Sequence, residues 1–272
     1  MSANSSIEWT HHTFNPWQGC VKVSPGCKHC YAEARDKRLL RGPVRHWGAD
    51  APRLFASERY MRQPLTWNRK AARTGQRTRV FCMSMGDLFE RHAIPFYAAL
   101  QAAYRERLYE LIEQTPWLDW LLLSKRPKNM ASMLPRPWLK QPRANVWLGT
   151  SAENQTTAAD RLPVLLDTPA RVHFVSFEPA LGPIDLEAAA PDHCIPLQLD
   201  WLIAGSESGP SARPAQLDWF RSARDQCQRL GVNFFFKQWV EGPRKKVKLP
   251  VLDGRRWQDV PTSCAAHLVG AA

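Results

Sequence analysis

The sequence predicts an α/β fold built as a full or partial (β/α) barrel. Short apolar runs rich in Val, Phe, Leu and Trp alternate with longer amphipathic segments. This alternation is typical of βα units around a parallel sheet. Several apolar runs also end abruptly in polar residues, as expected where parallel strands leave a core and their loops gather at one mouth. The 272 residues can bury a sizeable core, and we expect a single domain over 1–272.

Seven segments have the composition of strands, and five amphipathic segments between them fit helices. The predicted strands are Ile7 to Phe14, Val80 to Met85, Trp120 to Ser124, Val146 to Thr150, Val172 to Phe177, Trp201 to Ala204 and Asn233 to Lys237. The predicted helices are Cys30 to Leu40, Pro95 to Gln114, Lys128 to Leu134, Gln155 to Asp167 and Gln216 to Leu230. In the last helix, Phe220, Ala223, Cys227 and Leu230 share one stripe, so this helix should pack against the sheet with Cys227 in the core.

Two parts of the chain interrupt or follow this repeat. A basic insertion of about 42–79 comes after the first predicted helix, inside a barrel that covers about 5–240. A C-terminal extension of about 241–272 contains Asp253-Gly254, a tight-turn signal between short apolar runs, which predicts a β-hairpin. The Pro-rich segment 134–142 is predicted to be a loop.

The positive charge is concentrated in one stretch of the chain. Of the net charge of +12, the stretch from Lys28 to Arg79 holds +10, from fourteen Lys and Arg against four acidic residues. Aromatic residues are interleaved with them, and this combination suits a phosphate backbone with stacked bases. DNA, RNA or a nucleotide is therefore one predicted partner. A solvated helical surface explains the same charge equally well.

Composition also predicts the compartment. No apolar run reaches the length of about 20 residues that crosses a bilayer, so we expect no membrane association. The opening Met-Ser-Ala-Asn-Ser-Ser lacks the charged and apolar regions of a signal peptide, and seven cysteines do not suggest a disulfide framework. A cytoplasmic protein is the expectation.

Three of these cysteines indicate a metal site. Cys20, Cys27 and Cys30 lie on one short loop that follows the first predicted strand. Three thiolates are a ligand set for zinc or for an iron-sulfur cluster, and they leave one coordination position open. An open position is typical of a metal that binds substrate or cofactor.

Carboxylates follow several other strands, so in a barrel they would share the mouth with the cysteine loop. They are Asp87, Glu153, Glu178 and Glu207. Polar strand ends are common where a chain leaves its core, which explains any one of them. Four together would repel phosphate unless a cation lies among them.

At this point the chain resembles the radical S-adenosylmethionine (radical SAM) enzymes, whose cluster-binding cysteines follow the first strand of a full or partial (β/α) barrel. Closer still, Trp9-Thr10, Asn15-Pro16-Trp17, the cysteine run and Phe177-Glu178-Pro179 resemble a group of uncharacterised phage and prophage proteins. The spacing differs from the common CxxxCxxC, since six residues separate Cys20 from Cys27 and His29 stands where the superfamily has an aromatic residue.

The resemblance implies a function and a set of roles. Cys20, Cys27 and Cys30 would hold a 4Fe-4S cluster that binds S-adenosylmethionine for reductive cleavage, with a reductant such as flavodoxin or ferredoxin and a nucleic-acid or nucleotide substrate. Ser84 to Asp87 would receive the methionine amino group of the cofactor. The implied cofactor-binding residues are Ser84, Gly86, Asp87, Ser151, Glu153, Glu178 and Glu207.

A zinc-stabilised, non-catalytic nucleic-acid-binding phage protein is the alternative. It requires a fourth zinc ligand, which His29, His11, His12 or Cys82 could supply. Cys82 points inward by strand parity with Ser84 and is more often a packed core thiol.

Overall fold

The computed structural model describes residues 5–39, 44–209, 211–240 and 246–262. In chain order its strands are β1 (His12–Thr13), β2 (Trp17–Gln18), β3 (Leu54–Phe55), β4 (Thr78–Cys82), β5 (Leu118–Ser124), β6 (Val146–Ser151), β7 (Val172–Phe177), β8 (Trp201–Gly205), β9 (Asn233–Val240), β10 (Lys246–Lys248), β11 (Val251–Leu252) and β12 (Arg255–Arg256).

Its α-helices are α1 (Tyr31–Leu39), α2 (Glu58–Met61), α3 (Gln63–Thr74), α4 (Pro95–Glu113), α5 (Met130–Met133), α6 (Arg136–Lys140), α7 (Gln155–Leu166), α8 (Leu186–Ala189), α9 (Ile195–Gln198) and α10 (Leu217–Leu230). Short 3-10 helices cover Pro25–Cys27 and Pro127–Asn129. Among the described helices, none has both the length and the apolar character to cross a membrane.

One eight-stranded, mostly parallel sheet organises the molecule. Its strand order is β1-β4-β5-β6-β7-β8-β9-β10, and only β10, at the edge, runs antiparallel to its neighbour. The sheet curls into a half-barrel, so the expectation of an α/β fold with a partial barrel is confirmed. Each of the seven predicted strands has a counterpart, although the first is reduced to β1.

Alternate side chains of the strands pack into two separate cores. The concave side of the sheet is filled by large apolar groups, including Trp9, Phe81, Trp147, Phe174 and Trp201. The ring of Phe174 occupies the space that a Cβ atom on residue 149 would need, so Gly149 is required for this packing.

The convex side carries the helices and a second, larger core. Phe220, Ala223 and Cys227 of α10 are all buried there, as the amphipathic stripe predicts. Cys82 also lies in this outer core, fully buried, whereas its neighbour Phe81 faces the concave side. The expected inward orientation of Cys82 is therefore wrong, while its assignment as a core thiol is confirmed.

The insertion and the Pro-rich segment contain more regular structure than expected. The insertion forms β3, α2 and α3, and β3 pairs with β2. The segment 134–142 is not only a loop, because it contains α6. Pro137 lies in the first turn of this helix, where backbone N–H groups make no intrahelical hydrogen bond and proline is therefore tolerated. The predicted hairpin is present as β11 and β12, with Asp253 and Gly254 both at positive φ in its turn.

Parts of three predictions fall on residues outside the described ranges. These are Leu40 of the first helix, 42–43 of the insertion, and 241–245 and 263–272 of the C-terminal extension.

The N-terminal segment reaches the far edge of the sheet. Lys248 on β10 donates to the Ser6 carbonyl over 3.1 Å and forms an ion pair with Glu8 at 2.7 Å. Ile7 packs with Leu249 against the concave core. The first described residues therefore contact β10 as well as the β1 side of the half-barrel.

Candidate functional site

A cavity of about 590 Å³ opens at the carboxyl ends of the parallel strands. Of the ten residues predicted to hold a metal or cofactor, nine line it. They are Cys20, Cys27, Cys30, Ser84, Gly86, Asp87, Ser151, Glu178 and Glu207. The expected meeting of the cysteine loop and the polar strand ends is thus observed.

The cysteine loop enters this cavity beside the end of β4. The Gly19 amide donates to the Met85 carbonyl over 2.9 Å, and Gly19 bridges to Gly86 in parallel fashion. A Cβ on residue 86 would collide with Met83 and approach the Gly19 carbonyl at 3.1 Å, so glycine lets the two segments approach. The loop then turns through the 3-10 helix Pro25–Cys27, which brings Cys27 to the same cavity as Cys20.

Glu153 holds the middle of the loop from outside the cavity. It is fully buried, accepts a hydrogen bond from Ser24 Oγ at 2.7 Å and pairs with Arg161 at 3.1 Å. A Cβ on residue 26 would clash with the Glu153 carboxyl group, so the loop rests directly against it. Glu153 is the one predicted cofactor-binding residue that does not line the cavity.

Glu207 holds the other end of the loop. Its carboxylate bonds to His29 Nδ1 at 3.0 Å and to the Arg213 side chain, which also donates to the Pro25 carbonyl over 3.1 Å. Burial raises the pKa of Glu207, but the hydrogen bonds from Arg213 and His29 lower it by more, so the net effect is a lowered pKa. The carboxylate therefore stays ionised and ties the loop to the end of β8.

Arg126 links the loop to Asp87. It forms an ion pair with Asp87 at 2.8 Å, donates to the Val21 carbonyl over 2.8 Å and lies 3.6 Å from Cys20 Sγ. Asp87 also accepts from Ser124 Oγ at 2.6 Å. Burial raises the pKa of Cys20 to about 12, although Arg126 acts in the opposite direction.

The segment from Ser84 to Asp87 is held by its backbone. Asn15 Oδ1 accepts from the Met85 amide at 2.7 Å, and the Tyr31 hydroxyl donates to the Ser84 carbonyl over 2.6 Å. Tyr31 begins α1 directly after Cys30, so this bond joins the end of the cysteine loop to the segment after β4.

Among the described residues that line the cavity, several buried side-chain atoms have no hydrogen-bond partner. They include Ser206 Oγ and Gln238 Oε1, on residues only 2% and 3% exposed, and Trp9 Nε1. Buried polar atoms are seldom left unpaired, so each is a candidate contact for a bound molecule. Nearby, Glu178 pairs with Lys237 at 2.8 Å.

The thiols fit a metal by their chemistry and location, but they do not converge. Within the described ranges, no three His, Cys, Asp or Glu side chains are grouped as metal ligands. Three soft thiols on one short loop nevertheless suit zinc or an iron-sulfur cluster. For one metal site to use all three, their side chains would have to rotate towards a common point.

Most of the proposed fourth zinc ligands are engaged away from the cavity. His11 Nδ1 accepts the Arg79 amide at 2.9 Å, His12 stacks on Trp67 with ring centroids 4.3 Å apart, and Cys82 lies in the outer core. Only His29 lines the cavity.

Sequence reasoning missed several charged residues of the site. Arg126, Arg213 and Lys237 directly contact predicted site carboxylates. Arg126 follows β5, and Lys237 is the last residue of the last predicted strand, so position alone could have signalled both. Arg213 lies in the loop between β8 and α10, six residues after Glu207, and it had no strand-end position to signal it.

Comparisons with known proteins place the chain in a family without assigning an activity. A search of curated proteins found no match. A search of solved structures found none either. The sequence model of the family described as "Protein of unknown function (DUF5131)" matches residues 4–261, nearly the whole chain. The chain belongs to the DUF5131 family.

Proposed function

We propose that this protein is a radical SAM enzyme that acts on a nucleic-acid or nucleotide substrate. One observation carries the proposal: the three cysteines of a loop after the first strand line the same cavity as the polar strand ends of a parallel half-barrel. When bound, a 4Fe-4S cluster supplies the electron that cleaves the sulfonium bond of S-adenosylmethionine. Flavodoxin or ferredoxin would be the reductant.

The protein's own residues would hold these groups and exclude water. Cys20, Cys27 and Cys30 would ligate the cluster. Glu178, the Ser206 hydroxyl and the Gln238 side-chain oxygen would bind polar groups of the cofactor, since these residues line the cavity beyond the cysteine loop.

Three other carboxylates would act as supports. Asp87 is bound to Arg126 and Ser124, Glu207 to Arg213 and His29, and Glu153 is buried behind the loop. We assign these residues mainly to positioning the loop and the strand ends. Glu153 in particular has no exposed surface with which to bind a cofactor.

The test is metal content and turnover under anaerobic conditions. Protein purified without oxygen and reconstituted with iron and sulfide should hold about four irons per chain. With dithionite and S-adenosylmethionine it should release 5′-deoxyadenosine. Cys27→Ala should lose both iron and product, whereas Cys194→Ala should retain them, because Cys194 is exposed and does not line the cavity. Stoichiometric zinc with no iron after reconstitution would contradict the proposal.

The arrangement of His29 favours a second candidate, a zinc-stabilised nucleic-acid-binding protein without catalysis. A histidine whose one ring nitrogen is held by a carboxylate, as His29 is by Glu207, is typical of a zinc ligand. His29 with the three cysteines would complete a tetrahedral site. Here His29→Ala should release the metal, whereas a cluster held by three cysteines should survive this substitution.

The proposed nucleic-acid partner is tested by salt. Affinity for DNA or RNA should fall steeply as salt rises if phosphates are bound. Fewer basic side chains of the insertion are free to bind phosphate than its composition suggests. Arg53 is buried in an ion pair with Glu90, and Arg77 is paired with Asp119. An affinity for DNA or RNA that does not change with salt would contradict the proposal of a nucleic-acid partner.

A further inference from the structure

Three lysines line one side of the cavity, on the last two strands of the sheet. Lys237 belongs to β9, and Lys246 and Lys248 belong to β10. Since Lys246 and Lys248 are two residues apart on one strand, their side chains leave the same face. β10 pairs with β9, and the Leu249 amide that follows Lys248 donates to the Lys237 carbonyl over 2.9 Å. All three lysines line the cavity, and Lys237 and Lys248 both act electrostatically on Lys246, so the three side chains lie in one region of the wall.

The charges in this region do not balance. Lys237 is paired with Glu178 at 2.8 Å and Lys248 with Glu8 at 2.7 Å. The Lys246 backbone pairs with Val240, but the Lys246 ammonium group has neither an ion-pair nor a hydrogen-bond partner among the residues that the structure describes. Burial lowers the pKa of Lys246, and Lys237 and Lys248 lower it further, against the opposing effect of Glu8 and Glu178. An anion bound beside Lys246 would supply the missing negative charge.

An exposed aromatic residue and a second unpaired cation line the same cavity. Tyr31 is 50% exposed, although its hydroxyl is bound to the Ser84 carbonyl. Arg35 lies one turn later on α1, lines the cavity, and has no ion-pair partner in the described part of the chain. Exposed aromatic rings beside cations are the usual surface for a stacked base.

We propose that Lys246, flanked by Lys237 and Lys248, binds a phosphate group of a nucleotide. The proposal extends the proposed function by locating the phosphate group of its substrate. It rests on the proposed function only in treating the bound nucleotide as a substrate. It places the phosphate on β10, inside the half-barrel mouth, and not on the basic insertion. A free nucleotide and the phosphate of a polynucleotide present the same chemistry to this site.

Calorimetric titration of the full chain, purified without oxygen, tests the proposal. The probes are adenosine 5′-monophosphate, adenosine, and a ten-nucleotide single strand. The monophosphate should bind about 10-fold more tightly than adenosine, the gain expected for a charge-assisted phosphate contact. Lys246→Ala and Lys246→Gln should both remove this difference. Lys70→Ala is the matched control, because Lys70 is exposed on α3 of the insertion and does not line the cavity.

Comparing the ten-nucleotide single strand with the monophosphate distinguishes the two sources of phosphate. If Lys246→Ala weakens binding of both the ten-nucleotide strand and the monophosphate, the two share one site. If it weakens binding of the monophosphate alone, the natural ligand is a free nucleotide. If Lys70→Ala weakens binding and Lys246→Ala does not, phosphate is held by the insertion and the proposal is overturned. Equal binding of adenosine and its monophosphate, or no binding of any probe, overturns it as well.

These outcomes are independent of the cluster. If the protein holds no iron but still discriminates the monophosphate through Lys246, the phosphate site stands and the radical SAM function fails. If iron and 5′-deoxyadenosine are found without phosphate-dependent binding, the function stands and the phosphate site fails. Melting curves by circular dichroism confirm that the Lys246 variants fold.

Discussion

Arg126 is the residue on which the cysteine loop and the end of β5 both depend. Burial lowers its pKa, but Asp87, Cys20 and Glu90 together raise it above the usual value, so the guanidinium stays charged. Arg126→Ala would leave the buried Asp87 without its ion pair. We expect the free energy of unfolding to fall by about 3 kcal/mol, as for other broken buried pairs.

Urea denaturation measures this loss, with Arg107→Ala as the control. Arg107 pairs with Glu58 on the surface, where the two side chains are 37% and 73% exposed. The control should therefore lose less than about 1 kcal/mol. Equal losses in the two variants would mean that the Arg126 network contributes no more than a surface pair.

His11 should make stability depend on pH. Its Nδ1 accepts the Arg79 amide, so the fold requires the neutral ring. Burial, Arg79 and His12 lower its pKa from 6.5 to about 4. As pH falls below 6.5 the unfolded chain takes up this proton first, so stability is complete above 6.5 and decreases towards pH 4. Because the His11 side chain is only partly buried, solvent screening limits the loss to about 1 kcal/mol.

The measurement is the unfolding free energy of the wild type and of His11→Asn across this pH range. Asn keeps an acceptor for the Arg79 amide and does not titrate. Carboxylates titrate equally in both proteins, so the difference between the curves isolates His11. Parallel curves from pH 7 to about 4 would contradict the assignment.

At the scale of single elements, β6 shows how the concave core depends on a missing side chain. A Cβ on residue 149 would collide with the Phe174 ring, which is itself packed against Trp9 and Trp201. We expect Gly149→Ala to cost at least about 1–3 kcal/mol by overpacking. Gly182→Ala is the matched control, since its nearest contact is Asn154 Cβ at 3.3 Å. Thermal melting should show a large loss for the first variant only.

The elements that could be predicted from the sequence are those with a strong local pattern. The buried strands β5 to β9 and the stripe of α10 are visible as apolar runs and helical spacing. The hairpin of β11 and β12 follows from Asp253-Gly254, which adopts the positive φ angles of a tight turn. By contrast, α6 was hidden because its segment is rich in proline, which is a loop signal, although proline is tolerated in the first turn of a helix.

The candidate site divides in the same way. The carboxyl ends of parallel strands meet at one edge of a sheet. The sequence could therefore predict that the cysteines and the residues from Ser84 to Asp87 share one cavity. Which carboxylate faces the cavity could not be predicted. Glu153 and Glu178 follow neighbouring strands, yet the first is buried behind the loop and the second lines the cavity. That difference depends on Arg161 and Lys237, whose proximity is a tertiary property.

At the scale of the whole molecule, the cysteine loop joins distant parts of the chain. Through Glu153, Glu207 and Arg126 it is bonded to the ends of β6, β8 and β5, and through Gly19 to the segment after β4. A metal held by the three thiols would therefore restrain a loop that contacts half the sheet. Because a ligand that binds only the folded state raises its stability, metal loading should stabilise the entire chain.

We therefore expect the reconstituted wild type to melt at a higher temperature than the metal-free protein, by about 2–4 °C for each kcal/mol of binding energy. Differential scanning calorimetry under anaerobic conditions measures the shift. Cys27→Ser treated identically should show almost no gain, because it loses one of three ligands, whereas Cys194→Ser should gain as much as the wild type. A similar gain in Cys27→Ser would place the bound metal elsewhere, since Cys27 lines the cavity and Cys194 does not.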